Sequence, residues 1–192
     1  MEAKFNGIAV WPGVIVSVST STIFGKLIRA ALGRSYHELT GDSRENCPTH
    51  NGIIVEHDGQ LFVGDSVSPK SKRTPLYEYE KELADGKIHN LQLFEVLNIS
   101  RMRQGMAADW WTDNVLNEAY DWPAFIRLTL KAIFGDWFKW AAGLTWAHWC
   151  TEGIKDAFAK GACYDVIENE NPTPFTPIKR WKEGRLKLLG AV

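Results

Sequence analysis

The stretch HNGIIVEHDGQLFVGDSV, residues 50–67, contains two β-type runs that are separated by an Asp-Gly pair at Asp58 and Gly59. Both central residues of a type I′ turn need a positive φ angle, which favours this pair in two-residue hairpins. If His57 pairs with Gln60, the register of both strands is fixed. The stretch therefore predicts an antiparallel strand pair of defined alignment.

The predicted register brings a carboxylate beside a histidine. Gly52 lies opposite Asp65, so that Asp65 and His50 become diagonal neighbours on one face of the strand pair. Diagonal neighbours are roughly 7–8 Å apart between Cα atoms, which a carboxylate and an imidazole can bridge. Glu56 shares this face but lies on the order of 20 Å from His50 along the strand. Asp65 is therefore the predicted partner of His50.

One cysteine lies at the predicted start of an amphipathic helix. Cys150 is followed at helical spacing by Ile154, Ala157 and Phe158, and Gly161 is typical of a helix end. Unpaired backbone N–H groups and the positive end of the helix dipole favour a thiolate in the first turn. Cys150 is therefore a candidate nucleophile, and the alternative is a small apolar residue on a buried helix face.

A nucleophilic thiol needs a base that takes its proton and a third group that holds the imidazole in the right tautomer. Cys150, His50 and Asp65 can supply these roles, and we predict them as the catalytic residues. One alternative is that His50 is an ordinary strand histidine that hydrogen bonds satisfy. A zinc site is another alternative. Its ligands would be Cys47, His37, His50 and His57.

These motifs resemble a known family, the circularly permuted NlpC-type papain-like cysteine hydrolases, in which the histidine strand precedes the cysteine helix. Residues 11–16, WPGVIV, resemble the opening strand of the family, and residues 49–54, THNGII, resemble its histidine strand. Residues 62–65, FVGD, resemble the segment that carries the third polar residue. Residues 149–152, WCTE, resemble the start of the cysteine helix. The resemblance extends over about residues 11–177.

The resemblance implies an α+β fold in which a permuted papain-like antiparallel sheet packs against helices. It implies a cysteine hydrolase that cleaves an amide bond in peptidoglycan peptides through an acyl-enzyme, and we expect no cofactor or metal. It also implies that Tyr120 and Thr151 line the oxyanion or substrate region. Val14 follows Gly13 and departs from the family pattern, because the family has an acidic residue at this position.

Two alternative functions stay open at this point. The first keeps the same nucleophile but acts on lipid, as an acyl hydrolase or transferase whose substrate is an acyl ester. The second is a non-catalytic binding or assembly protein on the same fold, such as a component of a phage virion. If the protein is a hydrolase or transferase, its partner is a peptide or acyl substrate. If it is an assembly protein, its partner is another protein.

Length and composition limit the other possibilities. A chain of 192 residues is long enough for one domain with a real core, so we expect a single domain over residues 1–192. The net charge of -1 indicates no nucleic-acid partner. Three cysteines do not form a disulfide framework, which favours a reducing compartment. No signal peptide is apparent, so we expect a cytoplasmic or virion-associated protein.

The remaining elements follow from local patterns. The predicted strands are residues 14–19 and 89–98, and the predicted helices are residues 23–32, 102–116, 123–134 and 178–189. The helix at 178–189 has a basic face, which we expect to be solvated. Residues 34–49 are polar and predict a surface loop. Charged residues interrupt the tryptophan-rich stretch before Cys150, so we expect no transmembrane segment.

Overall fold

The structure, a computed structural model, describes residues 2–121, 123, 150–168 and 172–192. Two short strands, β1 (Ala3–Phe5) and β2 (Ile8–Val10), form a separate antiparallel pair. The other described strands are β3 (Ile15–Thr20), β4 (His50–His57), β5 (Gln60–Asp65), β6 (Lys72–Pro75), β7 (Ile88–Val96) and β8 (Leu186–Ala191). They form one sheet in the order β6-β5-β4-β3-β7-β8, in which all neighbours are antiparallel.

Helices pack against this sheet. The α-helices in the described part of the chain are α1 (Ile23–Thr40), α2 (Leu76–Ala84), α3 (Arg101–Asn114), α4 (Cys150–Asp156) and α5 (Thr176–Lys182). A 3-10 turn covers Arg44–Asn46, and a π-helical turn, Ala157–Gly161, continues α4. The chain is therefore α+β, which confirms the fold class predicted from the sequence.

The sheet carries a hydrophobic cluster on each face. Successive residues of a strand point to opposite faces, and the β4 neighbours Ile53 and Ile54 accordingly belong to different clusters. The first cluster contains Trp111 of α3 and Ile154 of α4, and the second contains Tyr79 of α2. Helices α2 and α4 therefore pack on opposite faces of the sheet, with β4 between them.

The predicted hairpin is confirmed in turn type and in register. Asp58 and Gly59 have φ angles of 49° and 73°, as a type I′ turn requires. His57 pairs with Gln60, and the same ladder reaches the end of β5. The Asp-Gly pair thus sets the alignment of every residue along β4 and β5.

The predicted polar loop at residues 34–49 is wrong over its first half, because α1 continues through Gly33. A Cβ atom added at Gly33 would lie 3.2 Å from the Cβ of Arg44. This glycine therefore allows close packing of the helix against the 3-10 turn and does not end the helix. The end comes at Gly41, which has a left-handed φ of 75°.

The predicted basic C-terminal helix at residues 178–189 is also wrong. Helix α5 stops early, and Gly184, with a φ of 73°, allows the chain to turn into β8. Strand β8 pairs with β7, where Lys187 lies opposite Glu95 and forms an ion pair with it over 3.8 Å. Arg180 is buried and donates to the carbonyl of Ile167. The basic residues therefore do not share one solvated face.

Two other predicted elements are confirmed with small shifts at their ends. The strand at residues 89–98 corresponds to β7, which is buried on both faces, and the helix at 102–116 corresponds to α3. The predicted helix at residues 123–134 lies outside the described residues apart from residue 123. None of the described helices is long and apolar enough to cross a membrane.

Candidate active site

His50 and Asp65 meet where the two strands of the hairpin lie farthest from the turn. His50 is the first residue of β4, and Asp65 is the last residue of β5. The Nε2–H group of His50 donates a hydrogen bond to Asp65 Oδ1 over 2.8 Å. The Asp65 side chain is 3% exposed, whereas the His50 side chain is 14% exposed. The predicted contact between these two residues is confirmed.

A glycine makes this contact possible. Gly52 lies directly opposite Asp65 in the ladder. A Cβ atom at Gly52 would lie 3.1 Å from Asp65 Oδ1 and 2.5 Å from Val63 Cγ1. Any larger residue would therefore push into the carboxylate and into the neighbouring valine. The Gly52 position leaves space for Asp65 to reach diagonally to His50.

Cys150 joins the same cluster. Its thiol is buried, and the His50 side chain and the backbone N–H of Asn51 are close enough to lower its pKa. The structure therefore brings together the thiol, imidazole and carboxylate groups that the sequence predicted. Trp149 lies outside the described residues, so the helix start at Cys150 stays a prediction.

The side chains of this cluster shift each other's pKa values. Burial alone would raise the pKa of Cys150, but the hydrogen bond and charge of His50, with smaller contributions from Asn51 and Thr151, lower it below its ordinary value. Burial likewise opposes an imidazolium at His50, but Asp65 and Cys150 outweigh it and raise the pKa of His50 to about 10. Both shifts favour a thiolate beside an imidazolium over the neutral pair.

Tyr79 makes a contact at the site that the sequence did not reveal. Its hydroxyl donates to the same Asp65 Oδ1 over 2.5 Å. Burial, together with the charge and hydrogen bond of Asp65, raises the pKa of Tyr79 well above its usual value. The hydroxyl therefore keeps its proton at neutral pH. Residues 76–84 have the pattern of a short charged segment, so no local signal marks Tyr79 as a partner of Asp65.

Asn51 and Thr151 connect the histidine strand to the cysteine helix. The Asn51 side-chain amide donates to Thr151 Oγ1 over 2.8 Å and to the Pro174 carbonyl over 2.9 Å. Thr151 is fully buried, and its Oγ1 lies 3.7 Å from the Cys150 sulfur. The Thr151 side chain thus anchors α4 on β4. In the sequence, the signal for Asn51 is its position directly after His50.

A groove of about 820 Å³ opens beside His50 and Asp65. Three apolar side chains from strands β3 and β7 and helix α1 contribute to its walls, namely Val18, Ile88 and Ile28. Lys70 and Lys72, from the loop that follows β5 and the start of β6, also line the groove. The groove thus combines apolar walls with charged side chains, and the histidine and carboxylate are among its lining residues.

Tyr120 lies on this groove together with His50. Its pKa is raised well above the usual value by burial, and further by the charges of Cys150 and Asp121. The phenol therefore stays protonated and is close enough to Cys150 to sense its charge. A protonated hydroxyl in this position can donate a hydrogen bond to a negatively charged oxygen.

The other cysteines have different environments. Cys47 is fully buried, and burial raises its pKa to about 12 although the nearby Arg29 lowers it. Cys163 is exposed, and neither thiol is in a disulfide. Within the described residues, no three His, Cys, Asp or Glu side chains are grouped so that they could hold a metal ion. The zinc alternative therefore finds no support in this part of the chain.

Fold and site together define an α+β protein in which an imidazole lies between a buried thiol and a buried carboxylate. No family model matches the sequence, and no curated protein matches it. Among solved structures, the chain is similar to the metalloprotein YiiX from Escherichia coli O157:H7, which carries the label DUF1105. The TM-score is 0.54 at 18% sequence identity, over 91% of this chain and 83% of that chain. This likeness concerns the fold alone.

Proposed function

We propose that this protein is a cysteine hydrolase of the circularly permuted NlpC-type papain-like class. The observation that carries the proposal is the contact of the Cys150 thiol with His50, whose other ring nitrogen is bound by Asp65. The histidine strand precedes the cysteine helix in the chain, which is the order of the permuted class. The pKa directions of Cys150 and His50 agree with an activated thiol.

In the proposed reaction, the Cys150 thiolate attacks the carbonyl carbon of an acyl compound and forms a tetrahedral intermediate. The His50 imidazolium gives its Nδ1 proton to the leaving nitrogen or oxygen, the bond from carbon to that atom breaks, and a thioester remains. Water then attacks the thioester while His50 takes a proton from it. The acid leaves, and the thiolate and imidazolium are restored.

Tyr120 is the proposed side-chain donor to the oxyanion of this intermediate. Its hydroxyl is protonated at neutral pH and borders the groove next to His50. Donors that are fixed before the reaction stabilise the developing charge more than water does, and removal of one such donor typically costs about 10²–10³ in turnover. The resemblance assigns the same region to Tyr120.

A metal has no step in this proposal. The structural neighbour is described as a metalloprotein. In the residues that the structure describes here, the donor side chains are not grouped for one ion, and His50 Nε2 and Asp65 Oδ1 bind each other. The described residues therefore do not fit such a group.

Two substrate classes follow from the resemblance, an amide in a cell-wall peptide and an acyl lipid ester. The apolar walls of the groove favour the acyl ester, because hydrocarbon gains from leaving water and a polar peptide does not. Helix α1 adds Phe24 to this apolar wall, whereas the neighbouring Ile23 is 76% exposed. Lys70 and Lys72 would pair with an anionic group of such a lipid.

A panel of substrates tests this preference. We expect kcat/KM for chromogenic esters to rise with acyl chain length by up to about fourfold per methylene, the value that burial of a CH₂ group gives. Phe24→Gln should lower the rate for dodecanoyl esters by about tenfold and leave acetyl esters unchanged, because only the long chain reaches this wall. Ile23→Gln is the matched control on the same helix, and Cys150→Ser gives the blank.

The other functions predict different results in the same panel. Cleavage of peptidoglycan fragments, with no dependence of ester rates on chain length, would favour the cell-wall amide. If no substrate turns over while wild type and Cys150→Ser stay folded and bind a common partner protein, the assembly function replaces the enzymatic one.

A further inference from the structure

Hydrogen bonds connect Tyr79 to Asp65 and Asp65 to His50, and His50 in turn interacts with the Cys150 thiol. We infer that Tyr79 is a positioning residue that acts through Asp65 to fix which nitrogen of His50 faces the thiol. The inference rests on the proposed function, because it gives Tyr79 a task in the same reaction.

Asp65 Oδ1 is the point where the two hydrogen bonds meet. It accepts one from Tyr79 over 2.5 Å and one from His50 Nε2–H over 2.8 Å. A carboxylate oxygen has two lone pairs and can accept both bonds, and two fixed donors on one oxygen restrict rotation of the carboxylate. Tyr79 and Asp65 are 5% and 2% exposed, so water has little access to the hydrogen bond between them.

The pattern of donors and acceptors decides the tautomer of His50. Tyr79 stays protonated over the working pH range, because burial and the charge of Asp65 raise its pKa. Asp65 Oδ1 therefore acts as an acceptor toward both neighbours, and His50 must present Nε2–H to it whether the ring is neutral or charged. Nδ1 is then the nitrogen that faces Cys150 and exchanges the catalytic proton.

Packing that does not involve the hydroxyl holds the Tyr79 ring. The ring meets Phe5 edge to face, with centroids 6.3 Å apart and an interplanar angle of 83°. It also lies in the hydrophobic cluster that contains Leu91 and Leu93. Because these contacts are apolar, Tyr79→Phe removes the hydrogen bond and keeps the packing. Helix α2 packs on the sheet face opposite α4, and its Tyr79 thus holds Asp65 from that face.

The pH dependence of Cys150 alkylation by iodoacetamide tests the inference without any substrate. Tyr79→Phe should move the acid limb of this profile to higher pH by about one unit, the order expected when one bond to a charged group is lost. Without the Tyr79 bond the Asp65 carboxylate can rotate away from His50. It then stabilises the imidazolium less, and the Cys150 thiolate beside the imidazolium becomes less stable. Tyr77→Phe, on the same helix with a 67% exposed side chain, is the matched control and should reproduce the wild-type profile.

A double-mutant cycle separates positioning from general stability. If Tyr79 acts through Asp65, Tyr79→Phe should add no further shift in the Asp65→Asn background. A wild-type profile in Tyr79→Phe would overturn the inference and leave the proposed function intact. If Cys150 in the wild-type protein titrates like an ordinary thiol, the proposed function fails, and the role of Tyr79 fails with it.

A second measurement applies even if Tyr79→Phe folds poorly. In Cys150→Ser, at a pH where the His50 ring is neutral, the nitrogen NMR shifts of the imidazole report the tautomer directly. We expect a single form with the proton on Nε2. A mixture of tautomers, or a proton on Nδ1, would contradict the inference with no change made at Tyr79.

Discussion

Replacement of His50 by alanine should lower turnover by about 10⁶, the size of the loss when the histidine of a serine triad is removed. Two effects act together. The base and acid of the proposed reaction disappear, and Cys150 loses the neighbour that contributes most to lowering its pKa, while burial still raises that pKa. The thiol then remains protonated at neutral pH. The measurement is kcat/KM on the best ester of the panel.

His57 provides the control for this variant. It lies at the far end of the same strand, its side chain is 46% exposed, and it lies 3.3 Å from the carboxylate of the adjacent Asp58. His57→Ala should keep wild-type activity. If His50→Ala retained a tenth of the wild-type activity while its fold was intact, His50 would not be the base.

Asp65→Asn should lower turnover by up to about 10⁴, because the amide can donate to the ring and stabilise the wrong tautomer of His50. The side chain of asparagine has the same shape, so that the fold and the hairpin are expected to survive. The rise in the pKa of His50 to about 10 comes in part from Asp65, and the variant should lower it. Activity and the titration of His50 should therefore change together.

Glu56 is the control for Asp65, since it belongs to the same face of β4 and lies at the opposite end of the strand. Glu56→Gln should leave turnover unchanged within about twofold, as expected for a surface substitution away from the site. Loss of activity in Glu56→Gln with full activity in Asp65→Asn would contradict the assignment of Asp65 as the residue that orients His50.

The sequence was sufficient to predict the partnership of His50 and Asp65, because the Asp58-Gly59 turn defines a register that extends over the whole hairpin. Side chains alternate with a period of two along a strand, so one fixed pair determines all others. The contact of Cys150 with this pair depended on a resemblance, since nothing local connects residues that lie so far apart in the chain.

The errors came from residues whose roles depend on distant packing. Gly33 has the pattern of a helix end but is required by the close approach of Arg44. The segment after Gly184 has apolar residues at both helical and strand spacing. It forms a strand because it pairs with the edge of β7. Tyr79 lies in a charged segment, and its contact with Asp65 appears only when α2 packs on the sheet. Local patterns carry no information about such partners.

The most direct measurement of the central claim is the alkylation rate of Cys150 as a function of pH, in the wild-type protein and in His50→Ala. We expect Cys150 to react as a thiolate at pH values well below the ordinary thiol pKa of about 8.5, and its environment to change again when His50 loses its proton near pH 10. Cys47, whose pKa is about 12, should remain unmodified over this range. If Cys150 reacted only near or above the ordinary pKa and His50→Ala left its profile unchanged, His50 would not activate this thiol.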